Sequence, residues 1–246
     1  MSEERYIRER QFFDSESSEN ARTHITKYYK VLDSRDKFYE DLVVSHSSGG
    51  RVLEYGCGGG KWACLLAEKG ASEVVAIDLS ETRIEQARET ARLKRLSEVD
   101  FQVGNAEALD FDDDAFDVVC GTAILHHLDL HKAFSEIART LRPNGIAVFM
   151  EPLAHNPLIN LYRRLTPRLR TDDEQPLRIE DIQLARSYFG TVEVHFFSLL
   201  SLLAAPFSNT RHFESLLGTL DATDRFLFRQ VPFSRRYAWY CVMVFS

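Results

Sequence analysis

The sequence predicts an α/β fold: a mostly parallel sheet with helices on both faces. Two observations carry this expectation. From Arg51 to Met150 short apolar strands alternate with helices, and β-α-β-α alternation implies parallel strands joined by right-handed crossovers. Six of the twelve glycines lie between positions 49 and 60, so a backbone constraint is concentrated where the first strand gives way to the first helix. Composition agrees with an ordinary globular chain long enough to bury a core, since 44% of the 246 residues are hydrophobic and 27% charged. A net charge of -7 argues against bulk nucleic-acid binding, which needs a basic footprint.

Each element has its own signal. Residues 1–23 read as charged and irregular, and a helical pattern runs from Thr23 to about Ser45. After the Ser-Ser-Gly-Gly turn at 47–50, Arg51–Tyr55 reads as a strand and Lys61–Lys69 as a helix closed by Gly70. Glu73–Ile77 is a second strand, and Ser80 can cap the helix carrying Ile84, Ala87 and Ala91. Val99–Val103 and Phe116–Cys120 follow as strands. Leu130, Ala133, Phe134, Ile137, Ala138 and Leu141 repeat at helical spacing behind a capping Asp129, and Pro143-Asn144-Gly145 stops that helix. Gly145–Met150 is a fifth strand.

Beyond 151 the rhythm changes. Asn156-Pro157 can start a short helix with Leu158, Leu161, Tyr162 and Leu165. Arg163, Arg164, Arg168 and Arg170 follow, able to pair with Asp172, Asp173 and Glu174 or with an acidic acceptor. A helix is expected near 178–189, strands at Thr191–Phe197 and Ala238–Phe245, and apolar helical material between them. The organisation is a helical cap over 1–46, a core over 47–150, and lid insertions with closing strands over 151–246. The four cysteines (57, 64, 120 and 241) form no C-x-x-C pair and read as reduced thiols of a cytoplasmic protein. Neither a signal-like apolar run at the N-terminus nor a stretch of spanning length is visible.

The chemistry concentrates in Glu54-Tyr55-Gly56-Cys57-Gly58-Gly59-Gly60, followed by Asp78 at the end of the second strand. A strand–glycine loop–helix unit makes a shelf for a nucleotide-like ligand, and an acidic residue at that position can accept both ribose hydroxyls. A dinucleotide loop wants a small residue where this chain has Lys61. The acidic head at Glu54 suits a ligand carrying positive charge, with a partner for the first helix's dipole as its lesser alternative role.

The chain resembles the class I S-adenosylmethionine-dependent methyltransferases, in their small-molecule branch that includes ubiquinone and menaquinone biosynthesis enzymes. The resemblance covers about 50–150, through EYGCGGG (54–60), AIDLS (76–80), VGNAEAL (103–109), FDVVCGTAILHHL (116–128) and LRPNG (141–145) in order. It implies a Rossmann-like sheet of seven strands, with Ala238–Phe245 antiparallel beside the fifth. It also implies S-adenosylmethionine as cofactor. Glu54 would lie near its amino group, and Gly56, Cys57, Gly58 and Gly60 would line its methionine and ribose. Asp78 would take the ribose hydroxyls, Leu79 would pack on the adenine, and Asn105-Ala106 would reach the adenine edge. Gly121 falls in the fourth motif. Asn105 departs from the family's usual Asp, but an amide oxygen can still accept there.

A base is useful when the methyl acceptor is a hydroxyl or acidic carbon. His126 and His127 stand beyond the fourth strand, and Glu151 and His155 beyond the fifth. His127 and His131 have i, i+4 spacing, but Asp129 starts a helix between them, so no metal is expected. Tyr28 and Tyr29 can close the pocket. Segments 151–177 and 198–236, rich in Leu and Phe, are expected to form a lid over an apolar or lipid-like small-molecule acceptor. Peripheral membrane contact or a homodimer would be other uses of that surface. A nucleotide-dependent oxidoreductase and a non-catalytic cofactor-binding protein are the competing functions.

Overall fold

A computed structural model describes residues 3–14, 30–166 and 175–246. Strands β1 (Arg51–Tyr55), β2 (Glu73–Asp78), β3 (Val99–Val103), β4 (Phe116–Thr122), β5 (Leu141–Pro152), β6 (Val192–Phe197) and β7 (Tyr240–Phe245) form one sheet in the order β3-β2-β1-β4-β5-β7-β6. The pairs β1–β2, β1–β4, β2–β3 and β4–β5 are parallel. The expected C-terminal strand lies antiparallel to β5, with Val148 opposite Val244. The order reverses between β1 and β4, which puts the ligand crevice at their carboxyl ends.

Period-two alternation in β1 feeds both faces of the sheet. Leu53 and Tyr55 join one apolar cluster with Phe134, Ile137 and Phe149. Val52 joins the other, with Trp62, Cys64 and Ile84. The inner strands are therefore apolar on both sides, as parallel strands covered by helices must be. The expected caps form: Ser80 Oγ accepts from the Arg83 N–H, and Asp129 Oδ1 from those of His131 and Lys132. Asn156 Oδ1 accepts from the Leu158 and Ile159 N–H groups.

Three expectations change. Residues 1–23 are not irregular throughout, because α1 (Glu3–Asp14) is a helix; the charged string had concealed it. The helix expected from Thr23 is described only as a 3-10 turn at Lys30–Leu32 and α2 (Asp33–Ser47). Tyr28, Tyr29, Arg168, Arg170, Asp172, Asp173 and Glu174 lie outside the described residues. The helix expected to reach Leu141 ends at Thr140, and Leu141 and Pro143-Asn144-Gly145 lie inside β5 instead of closing that helix. The helices after α2 are α3 (Lys61–Glu68), α4 (Glu81–Lys94), α5 (Leu130–Thr140), α6 (Pro157–Leu165) and α7 (Ile179–Ala185). Beyond β6 come a 3-10 segment at Ser201–Phe207 and α8 (Phe213–Gln230). Asp224 of α8, 2% exposed, accepts from the Leu199, Leu200 and Ser201 N–H groups. That buried carboxylate fastens the apolar 198–207 stretch, which packs with Val31 and Leu32.

Gly60 shows what the glycine run does for packing. It has φ +79°, and a Cβ there would lie 2.8 Å from Phe101 Cζ and 3.0 Å from Ala87 Cβ. Gly60→Ala is expected to cost about 2–4 kcal/mol from the left-handed backbone and overpacking together. A lower thermal midpoint checks this; an unchanged one contradicts it.

Candidate active site

The glycine loop leaves β1 and is tied to the end of β2. Cys57 N–H donates to the Ile77 carbonyl at 3.0 Å, and Gly58 N–H donates to Asp78 Oδ2 at 2.9 Å. The other carboxylate oxygen, Asp78 Oδ1, accepts from the Ser80 N–H at 2.9 Å. Burial pushes the Asp78 carboxyl up, and the Ser80 and Gly58 N–H groups hold it down. Gly56 has φ +64°, and a Cβ there would come within 2.8 Å of Ile124 Cδ1. Only glycine lets the loop approach the β4 turn so closely.

A cavity of about 880 Å³ opens at this point, near the upper end of the usual ~300–1,000 Å³ for small-molecule sites. Gly56, Cys57, Gly58, Asp78, Leu79, Asn105 and Ala106 line it from the β1–β2–β3 half of the sheet. His126, His127, Met150 and Pro152 contribute from the β4–β5 half. Leu158, Ile159 and Tyr162 of α6 line it too, with Leu202, Ala205, Pro206, Trp239 and Tyr240. Both segments expected to form a lid therefore reach the cavity that the glycine loop opens into. Leu161, by contrast, is 55% exposed and is not among the lining residues.

Glu54, Gly60 and Gly121 sit away from the cavity wall. Glu54 lies behind the loop, 1% exposed, with Oε2 buried and without a hydrogen-bond partner. Burial pushes its carboxyl up to about 8, opposed by the Ala63 N–H and reinforced by the charge of Asp78. Gly60 packs helix on sheet as described. A Cβ on Gly121 would lie 2.8 Å from Phe149 Cε1 and 2.9 Å from Ile124 Cγ2, so this glycine serves packing under the turn. Burial pushes the Cys57 thiol far up, which leaves it an apolar wall residue rather than a nucleophile. Asn105 Oδ1 accepts from the Glu107 N–H at 2.9 Å, so the amide first stabilises its own turn.

The histidines go to separate partners. His126 Nδ1 lies 2.7 Å from Glu151 Oε2, while Glu151 Oε1 accepts from the Ile124 and Leu125 N–H groups, both at 2.8 Å. Glu151 is fully buried and can reach a ligand only through His126. Its carboxylate selects the Nδ1–H tautomer and leaves Nε2 as the basic ring atom. His127 Nδ1 lies 3.3 Å from Glu9 Oε1, and Arg5 Nη2 donates to the His127 carbonyl at 2.8 Å. His131 Nδ1 is 2.8 Å from the Tyr188 hydroxyl. His155 lies in a separate cavity, beside Phe196 and Arg236, away from the other expected bases. Ala123, on the turn before His126, has φ +54°, a conformation that costs non-glycine residues about 1–2 kcal/mol.

The sequence reading missed several cavity residues. Glu9, 2% exposed, comes from α1, which Arg10–Glu81 and Asp14–Ser80 contacts hold against α4. Arg35, Trp62 and Tyr240 also line the wall. The one available signal for α1 was its density of Glu, Arg and Gln, seven of its twelve residues, without an apolar stripe to draw attention.

The residues present fit S-adenosylmethionine. Gly58 and its neighbours offer a close-approach surface, the Asp78 carboxylate lines the cavity at the end of β2, and an orphaned carboxylate oxygen of Glu54 lies behind the loop. Fold, loop and carboxylate together define a class I methyltransferase architecture. Residues 53–149 match the family model described as a methyltransferase domain. The chain is 34% identical over 122 residues to an uncharacterized methyltransferase, YcgJ, of Bacillus subtilis, covering 49% of this chain and 48% of that one. It is 31% identical over 133 residues to a ubiquinone biosynthesis O-methyltransferase of Neisseria meningitidis, covering 52% and 56%. The chain thus spans about half the length of the curated relatives it matches. Its fold is shared with a Haemonchus contortus phosphoethanolamine N-methyltransferase solved with S-adenosylhomocysteine, at TM-score 0.66 and 18% identity, covering 96% of this chain and 59% of that one.

Proposed function

We propose that this chain transfers the methyl group of S-adenosylmethionine to a small, mostly apolar acceptor bound in the same cavity. The observation that carries the reading is that a single cavity is walled by the glycine loop and Asp78 and also by the apolar lid residues Ile159, Ala205 and Pro206, with Trp239 just before the last strand. When bound, S-adenosylmethionine supplies an activated methyl carbon on a sulfonium, and the carbon–sulfur bond breaks as the acceptor attacks. The protein's work is positioning and exclusion of water. Gly56–Gly58 and Asp78 orient the nucleoside end. His126 Nε2 takes the acceptor's proton as the new bond forms, and Glu151 fixes the imidazole and stabilises its charge. Labelled methyl groups should move from the cofactor into an organic-extractable product of a lipid extract. Label confined to water-soluble products would contradict an apolar acceptor.

The lid makes its own prediction. Ile159 is 8% exposed and lines the cavity, so Ile159→Trp is expected to raise acceptor KM by about tenfold, the effect of misplacing a substrate. S-adenosylhomocysteine affinity should stay within about threefold. Equal loss of both would mark the segment as core.

No helix among the described residues is long and apolar enough to cross a membrane. Leu158, which lines the cavity, and Leu203 and Phe207 of the 3-10 segment that also reaches it are about half exposed, an apolar surface through which a lipid-like acceptor would be drawn from a bilayer. Co-flotation with phosphatidylcholine vesicles supports this route; protein that remains wholly in the aqueous fraction contradicts it.

The raised Glu54 carboxyl adds a pH dependence. Between the ordinary value of 4.5 and about 8, the folded chain holds a proton that the unfolded chain releases. The stability due to this group is complete below 4.5 and is lost as pH rises through about 8. A cationic ligand favours the ionised carboxylate and expels the proton. S-adenosylmethionine affinity should therefore rise with pH up to about 8, at most about tenfold per unit. Calorimetry across pH checks this, and Glu54→Gln should flatten the profile; an equally steep slope in that variant would assign it elsewhere.

A further inference from the structure

One polar group in the cavity wall has no part in the methyl transfer described above. Arg35, on α2, is 5% exposed and lines the cavity. Its guanidinium has five donors in a fixed plane and keeps its charge. Nε and Nη2 both donate to one oxygen, Asp36 Oδ1, at 3.0 and 2.5 Å. The plane lies over the Tyr240 ring, 3.9 Å from its centroid. Nη1 is buried and has no hydrogen-bond partner.

An unmet donor on a buried charge is unfavourable, and such a group calls for an explanation, a ligand among them. Ala205, Pro206 and Trp239 give the same cavity apolar wall, while Glu9, Asp36 and Asp78 are its acidic lining residues. The Asp36 charge is already matched by Arg35 itself, so it sets up no net repulsion, and Arg163 adds a second cation to the lining.

Resting on the reading of this cavity as the acceptor chamber, we propose that Arg35 anchors an anionic oxygen of the acceptor. The acceptor is then an apolar body carrying a carboxylate- or phenolate-type oxygen, held by Nη1 away from the atom that receives the methyl group. Arg35 is a specificity residue: it selects charge and fixes orientation, while His126 handles the proton. A fork anchored on Tyr240 and Asp36 is pre-organised, so little conformational freedom is lost when the oxygen docks.

Both tryptophans of the chain, Trp62 and Trp239, line the cavity, so intrinsic fluorescence reports its occupancy. The full chain, saturated with S-adenosylhomocysteine, is titrated with decanoate, decanamide and decylamine. Decanoate is expected to bind about tenfold more tightly than either other probe, the scale of one charge-assisted contact. In Arg35→Gln the preference should fall below about threefold, and Arg35→Lys should keep part of it. S-adenosylhomocysteine affinity should be the same in all three proteins. Equal binding of the three probes to the wild type overturns the proposal, as does a preference that persists in Arg35→Gln. Should Arg35→Gln fail to fold, Arg35→Lys decides: an undiminished preference there overturns the proposal and a reduced one supports it. Failure of the wild type to bind S-adenosylhomocysteine is a different result and overturns the cofactor reading instead.

Discussion

Replacing His126 with asparagine is expected to lower kcat by about 10²–10⁴-fold, the range for loss of a positioned general base, with cofactor affinity nearly unchanged. His126 lines the cavity but belongs to the turn after β4, apart from the glycine loop and β2 that are proposed to hold the cofactor. Loss of the base should therefore strike the transition state alone, lowering kcat and kcat/KM together. Glu151→Gln should give a smaller fall in kcat, because the amide keeps the shape and no longer enforces one imidazole tautomer. It should also lower thermal stability, since Glu151 Oε1 accepts the Ile124 and Leu125 N–H groups. Full activity in His126→Asn would leave positioning alone as the source of rate enhancement.

Asp78→Ala is expected to weaken S-adenosylmethionine binding by about 2–4 kcal/mol, or roughly 30- to 1,000-fold, from two charge-assisted ribose contacts. The geometry supplies a second reason for a large effect. The same carboxylate accepts the Gly58 and Ser80 N–H groups, so its removal frees the loop as well as the ribose. Asp78→Asn separates the two contributions. Its amide oxygen can still accept one backbone N–H but cannot take both hydroxyls as a charged acceptor, so it should fall between wild type and Asp78→Ala. Calorimetric titration of the three proteins checks the order; unchanged affinity in Asp78→Ala would remove the ribose assignment.

The parts of this molecule legible in its sequence are those governed by local rules. Alternation of strands and helices and the caps at Ser80, Asp129 and Asn156 rest on short-range patterns, whereas the antiparallel placement of the last strand follows only from the family resemblance. The roles within the loop were less legible, because glycine is required for two different reasons. Gly56 and Gly58 face the cavity, whereas Gly60 and Gly121 are needed where Phe101 and Phe149 press on the backbone. Long-range geometry was out of reach. Nothing in the spacing of His126 and Glu151, 25 residues apart, says that one carboxylate braces one imidazole. Likewise His155 sits only four positions beyond Glu151 yet faces another cavity. Glu9 and Arg35 reach the wall through tertiary packing, so no local pattern announces them.

The most direct test of the central claim is calorimetric titration of the whole chain with S-adenosylhomocysteine, S-adenosylmethionine and NAD in parallel. Single-site binding of the first two, lost or strongly weakened in Asp78→Ala, and no saturable heat with NAD is the result expected of a methyltransferase cavity. Binding of NAD in preference to the two sulfur compounds, or binding that is indifferent to Asp78, would contradict it.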